Sequence, residues 1–218
     1  MDANQEEPAN PFGMDEGCTK CAALCESRER IVHGYGDVGA DFLFVGDRPG
    51  AGADRSGVPL LVTAATAGDP GIEPSRLRSM LERVDLVDPE SPTVDPAVEN
   101  AFFTGLTRCH HPDRGPTDEE IANCDPFLTA EIRMINPEIL IPVGERALRV
   151  LAAEYTTRDP AELDVVACHA EELRGRGFEL LAMQAPDVAG EDGREAWLEA
   201  FSTLLGRDYR QTKGRRGR

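Results

Sequence analysis

Lysine is nearly missing from this chain. Only Lys20 and Lys213 occur, and every other member of its 23 basic residues is arginine. Against them stand 40 acidic residues, for a formal net charge of −17. That balance excludes a generally basic nucleic-acid-binding surface. An acidic, lysine-poor composition is typical of proteins from salt-loving cells, whose acidic surfaces hold water at molar salt, so the chain reads as halophilic. At about 1 M salt the Debye length is only about 3 Å, and such charge barely repels a polyanion at a distance. Long apolar runs are lacking too. None approaches the ~20 residues that span a bilayer, so no membrane association is expected. The opening MDANQEEPANPFGMDEG has neither a basic n-region nor an apolar h-region and is not a secretory signal. These absences point to a cytoplasmic protein whose cysteines stay reduced, which favours a metal site over a disulfide framework.

The hydrophobic content of 40% in 218 residues is enough for one domain with a sizeable core. The expected organisation is an acidic extension over 1–17, a domain over 18–206 and a basic, disordered tail over 207–218, the tail being rich in arginine and without apolar period. Four short runs are nearly continuous in apolar residues: Asp41–Gly46, Ala101–Leu106, Glu138–Gly144 and Phe178–Gln184. Continuous rather than alternating patterns predict strands buried on both faces. Thr117-x-x-Glu120 is a capping box that opens a helix running to Ile135, where Asn136-Pro137 stops it. Glu145–Ala153 reads as the next helix. Trp197, Ala200, Phe201, Leu204 and Leu205 follow the spacing of a helix packed on a core, which makes Trp197 a core residue. The stretch Asp85–Asn100 reads from its prolines and acids as a flexible loop. Strands alternating with helices predict an α/β fold: a three-layer α/β/α sandwich around a central, mainly parallel four-stranded sheet. Ligands of such folds bind outside the carboxyl ends of the strands. That directs attention to Asp47–Gly50, Gly105–Cys109, Glu145 and Ala185–Asp187.

Two features there carry chemistry. Four cysteines fall in two pairs, Cys18-x2-Cys21 and Cys109-x14-Cys124. The pattern suits a [4Fe–4S] cluster, which takes four thiolates; a zinc ion on the same thiolates is the rival. Cys25 is close enough in sequence to compete as a ligand, and Cys168 is extra. His110 and His111, directly after Cys109, read as solvated loop residues, and His33 and His169 have no motif around them. The second feature is the loop GDRPGAGADRSGVP over 46–59, whose glycines permit tight turns and close backbone approach to a ligand.

Taken together, these stretches resemble the family-4 uracil-DNA glycosylases. The cysteine pair with Leu24, Arg28 and the Gly34/Gly36 turn is one match. The loop GDRPGAGADRSGVP is similar to the family's GEAPGxxEDxxGxP, and TGLTRCHHPDRGPTDEEIANC to TNxxKCxPPxNRxPTxxExxxC; the likeness covers residues 18–186. It implies a uracil-DNA-glycosylase-like fold, a [4Fe–4S] cluster on Cys18, Cys21, Cys109 and Cys124, and DNA as the partner of a monomer in base-excision repair. The implied reaction is hydrolysis of the N-glycosidic bond of a base flipped from the helix. Asp47 takes the place of the glutamate in the family's first loop, as the candidate catalytic carboxylate that positions water or stabilises charge, or else as a loop-capping residue. Gly46, Arg48, Pro49, Gly50, Leu60, Gly105, Gln184 and Ala185 take the places that hold the base. Arg48 is suited to a phosphate or to pairing with Asp47.

The sequence departs from the family at three of these positions. Leu60 replaces a phenylalanine that stacks on the base, Gly105 an asparagine that reads its edge, and Ala185 a histidine that assists departure of the uracil anion. Losing an aromatic platform removes about 1–3 kcal/mol of stacking, and losing a group that stabilises a leaving anion costs about 10²–10³ in rate. The expectation is therefore a glycosylase of weak or altered activity. The alternative is a catalytically degenerate module that binds DNA or a repair partner through the same fold and cluster.

Overall fold

The structure, a computed structural model, describes residues 7–65 and 71–209. In chain order its elements are α1 (Ala22–Ser27), β1 (Tyr35–Gly36), β2 (Phe42–Gly46), α2 (Ala51–Ser56), β3 (Val62–Ala64), β4 (Ile72–Pro74) and α3 (Arg76–Glu82). Then come β5 (Ala101–Gly105), α4 (Asp118–Ile135), β6 (Ile139–Pro142), α5 (Glu145–Tyr155), β7 (Glu172–Arg174), β8 (Glu179–Leu181) and α6 (Gly190–Leu205). All four expected strands are present as β2, β5, β6 and β8, and they pair in parallel in the order β5-β2-β6-β8. The sheet is nevertheless six-stranded and mixed. β1 adds to β5 and β7 to β8, both antiparallel, which corrects the four-stranded expectation. Strands of two and three residues are too short to show any hydrophobic period.

The three layers follow from the pleat, which sends successive side chains to opposite faces. Phe42, Phe44, Phe103 and Ile141 pack on one face with Leu77, Met80 and Leu81 of α3 and Trp197, Phe201 and Leu204 of α6. Leu43, Val45, Phe102 and Leu140 pack on the other with Leu128 and Ile132 of α4 and Leu148 and Leu151 of α5. Trp197 is fully buried and stacks on Phe201 with ring centroids 4.8 Å apart. The capping box of α4 is complete: Glu120 N donates to Thr117 Oγ1 (3.2 Å) and Thr117 N to Glu120 Oε2 (2.8 Å). The helix ends where Asn136 turns left-handed at φ 52°, a conformation that asparagine tolerates at a helix C-terminus.

The 85–100 stretch is not loose. Val87 bridges Val98, the Arg78 guanidinium donates to the carbonyls of Ser91 and Pro92, and Tyr35 Oη reaches both Asp95 and the Pro96 carbonyl at 3.0 Å. Buried donors need acceptors, and this loop supplies them, which corrects the reading from composition. Parts of the expected terminal segments also pack on the domain. Asn10 N bonds the Gly34 carbonyl, Phe12 lies against Phe102, Arg207 pairs with Glu172, and Tyr209 rests against Phe42. The rest of the basic tail, 210–218, and residues 1–6 lie outside the described residues. Among the described residues no helix is long and apolar enough to cross a membrane.

Candidate functional site

Gly46 and Gly105 end neighbouring parallel strands and are paired in register. Their loops leave together: Leu106 N donates to the Gly46 carbonyl (2.8 Å) and Thr107 N to the Asp47 carbonyl (3.3 Å). A cavity of 640 Å³ opens at these strand ends, lined by Asp47, Val143, Gly144, Arg146, Arg149 and Ala185 among others. Asp47 and Ala185, from the ends of different strands, are thus brought to one space, as strand-end sites require. Asp47 Oδ1 is buried without a hydrogen-bond partner. Burial pushes the Asp47 carboxyl above its ordinary value, and the charges of Arg146 and Arg48 pull it part of the way back.

Those arginines are engaged elsewhere. Arg146 pairs with Asp118. Arg48 donates to the His111 carbonyl instead of pairing with Asp47, which corrects that expectation. His110 Nδ1 bonds the Pro49 carbonyl at 2.9 Å, so His110 is a stitch between the two loops and not a solvated side chain. Of the residues expected to hold the base, Ala185 lines the cavity, whereas Gly46, Arg48, Pro49, Gly50, Leu60, Gly105 and Gln184 lie outside its lining.

The three departures from the family pattern each have a structural counterpart. Leu60 is left-handed at φ 62°, a conformation that costs a non-glycine residue about 1–3 kcal/mol. It lies over Gly46, where an added Cβ would meet Leu60 Cδ2 at 2.6 Å. The Ser75 hydroxyl, 2.6 Å from the Leu60 carbonyl, holds it there. At Gly105 an added Cβ would meet the Thr107 carbonyl oxygen at 2.9 Å, so backbone occupies part of the space that a side chain there would need. Ala185 lines the cavity. The Gln184 backbone N–H donates to His169 Nδ1 (2.9 Å), while His169 Nε2 lies 2.8 Å from the Gly193 carbonyl. His169, which no motif marked, therefore supports the segment that carries Gln184 and Ala185.

The thiols gather on the far side of the 107–111 loop. Cys21 caps the start of α1, and Cys25 N bonds its carbonyl one turn on (2.9 Å). Arg28, just past α1, donates from Nη2 to the Cys18 carbonyl (2.6 Å) and from Nη1 to Cys109 Sγ (3.1 Å). Asn123 Nδ2 lies 3.5 Å from Cys21 Sγ. Burial pushes the Cys109 thiol up to about 11; Arg28 opposes this, and Cys124 and Cys18 add to it. Burial likewise raises Cys124, with Cys21 and Cys18 contributing. The four predicted ligands are thus electrostatic neighbours. Among the described residues no group of three or more His, Cys, Asp or Glu is arranged to hold a metal ion. A four-iron cluster takes one thiolate on each iron and does not need three side chains on one ion, and four neighbouring thiols with hydrogen-bond donors at two of the sulfurs are a donor set of that chemistry.

Other contacts behind the loops carried no sequence signal. Arg108 and Glu131 form an ion pair at 2.7 Å, each side chain 1% exposed. Glu131 also accepts from Thr104 Oγ1 (2.6 Å) and Gly34 N (3.0 Å). Asp54, 3% exposed, accepts from Glu29 N (2.9 Å) and ties the segment after α1 to α2.

Comparison with known proteins agrees with this architecture. A family model of the uracil DNA glycosylase superfamily matches residues 33–194. The chain is similar to a type-4 uracil-DNA glycosylase of Saccharolobus solfataricus, at 29% identity over 135 residues, 62% of this chain and 54% of that protein. A type-4 enzyme of Thermotoga maritima is 30% identical over 132 residues, 60% of this chain and 58% of that protein. A type-5 uracil-DNA glycosylase of Pyrobaculum aerophilum is 30% identical over 182 residues, 82% of this chain and 75% of that protein. The chain thus spans little more than half the length of these two type-4 relatives. Since the match runs from His33 to Arg194 and takes in every strand of the sheet and both strand-end loops, this chain belongs to the uracil DNA glycosylase superfamily.

Proposed function

We propose that this chain is a uracil-DNA-glycosylase-like protein of base-excision repair that hydrolyses the N-glycosidic bond of a base flipped out of DNA. The observation that carries the reading is the half-buried Asp47 carboxylate, whose buried Oδ1 has no hydrogen-bond partner and which lines a strand-end cavity. Cleavage of a glycosidic bond builds positive charge on the sugar, and a fixed carboxylate stabilises that charge or orients the attacking water. Ala185 leaves room in the cavity where the family has a histidine. Cys18, Cys21, Cys109 and Cys124 would hold a [4Fe–4S] cluster, whose contribution is to fasten the N-terminal arm to the loop after β5. On this reading the chain is a cytoplasmic monomer that acts on DNA at high salt, and its acidic, lysine-poor composition supports the halophilic part of it.

The alternative is the same fold binding DNA or a repair partner without cleaving DNA. The two readings separate in one assay. Iron-loaded protein is incubated at high salt with single- and double-stranded DNA containing uracil, and alkali-sensitive breaks are scored. Breaks at the uracil that disappear in Asp47→Ala support the glycosylase. An intact, iron-loaded protein that binds the DNA and leaves it uncut supports the second reading and overturns the first.

A further inference from the structure

Arg28 occupies an uncommon position for a charged side chain. It is half-buried, and among the described residues it forms no ion pair with a carboxylate. Its two terminal nitrogens go instead to the two cysteine arms, one to Cys109 Sγ at 3.1 Å and one to the Cys18 carbonyl at 2.6 Å. Cys25 and Cys18 are near enough to act on it electrostatically. Its backbone N–H closes the last turn of α1 on the Leu24 carbonyl (3.0 Å), which fixes where the side chain starts. Asn123, on α4, makes the corresponding but neutral and longer contact with Cys21 Sγ at 3.5 Å.

We propose that Arg28 sets the reduction potential of the iron–sulfur centre, an inference that rests on the cluster reading given above. The physical argument is one of charge. A cluster held by four thiolates is anionic, and one electron taken from a chemical reductant makes it more so, with no proton required. A fixed guanidinium bonded to a ligand sulfur stabilises the more negative state more than the less negative one. It therefore raises the potential, as hydrogen bonds to sulfur and nearby net charge do in such centres. Arg28 contributes both effects at once, whereas Asn123 contributes a weak hydrogen bond alone. The ranking follows: removing Arg28 lowers the potential more than removing Asn123 does.

The test uses the iron-loaded full chain, titrated anaerobically with dithionite and followed by visible absorption and electron paramagnetic resonance. Arg28→Gln removes the charge and keeps a donor; Asn123→Ala removes the neutral donor. Arg30→Gln is the control, because it makes the same change in net charge at an exposed arginine that bonds the Ser56 carbonyl instead. The expected order of midpoint potentials is Arg28→Gln lowest, then Asn123→Ala, with Arg30→Gln indistinguishable from the parent. Equal shifts in Arg28→Gln and Arg30→Gln, or no shift in Arg28→Gln at full iron content, would overturn the proposal. If Arg28→Gln fails to retain iron, Arg28→Lys takes its place; that variant keeps the charge and loses the two-armed geometry. A potential between those of Arg28→Gln's neutral donor partner Asn123→Ala and the parent supports the proposal, and one below that of Asn123→Ala refutes it. One zinc per chain and no iron would instead remove the cluster reading and this inference with it.

Discussion

Arg108→Met tests how far the site loops depend on a charge pair sealed beneath them. Methionine keeps much of the aliphatic stem of Arg108, so the principal loss is the guanidinium. Glu131 is then left 1% exposed with only two neutral donors, Thr104 Oγ1 at 2.6 Å and Gly34 N at 3.0 Å. Removing one partner of a buried pair costs about 3–5 kcal/mol, because the remaining charge stays buried without compensation. In a protein of this size 1 kcal/mol moves the melting temperature by about 2–4 °C. Arg108→Met should therefore melt about 6–20 °C lower, by the same two figures. Adding Glu131→Gln removes the stranded charge and keeps an oxygen for Gly34 and Thr104, so the double variant should recover at least half of the loss. The measurements are calorimetry and urea unfolding of all four members of the cycle at one salt concentration. A loss below about 1 kcal/mol in Arg108→Met, or a double variant less stable than Arg108→Met itself, would refute the reasoning, since residues in one network should not add independently.

Three further outcomes follow from the strand ends and the thiol centre. Burial raises the Asp47 carboxyl, so the folded state holds that proton more tightly than the unfolded chain, and ionising it costs stability as pH rises through the window above the ordinary aspartate value. Asp47→Asn should thus melt higher than the parent at pH 7, lose that advantage below about pH 4, and excise nothing; an unchanged melting temperature at pH 7 would contradict the burial argument. Gly105→Asn should cost about 1–3 kcal/mol, the usual range for overpacking, because its Cβ meets the Thr107 carbonyl at 2.9 Å, and urea midpoints would reveal a variant that fits without loss. Removing iron with a chelator under reducing conditions should lower the melting temperature and expose the 18–28 arm to protease before the sheet, whereas uniform cleavage would deny the arm its dependence on the cluster.

The four parallel strands were legible because a strand buried on both faces must be apolar at nearly every position, and FLFVG and AFFTG satisfy that condition. The start of α4 was legible because Thr117 and Glu120 satisfy each other's backbone within four residues. The nearness of Cys18, Cys21, Cys109 and Cys124 was expected from the family resemblance, and their mutual electrostatic influence agrees with it. What stayed hidden depends on partners distant in sequence. Arg108 and Glu131 lie 23 positions apart, and a glutamate on a helix carries no mark of burial. Arg48 looked available to its neighbour Asp47, yet its acceptor is a carbonyl 63 residues away. The edge strands β1 and β7 were too short to have a pattern. His169 was passed over for the same reason as Arg108: its work is to hold another segment's backbone.

The Thr107 carbonyl at Gly105 has a consequence for the order in which this protein can be changed. Side chains at Gly46 and Gly105 are barred by different obstacles: a leucine that can swing away on its own bonds, and a piece of main chain held by its neighbours. The first obstacle clears with a rotamer change of Leu60. An asparagine at position 105 carries the cost of the displaced main chain until the 106–109 turn is rebuilt. A route back to a fuller base pocket is therefore directional: the loop comes first, the reading residue second, and a library that varies position 105 alone bears that cost in every member.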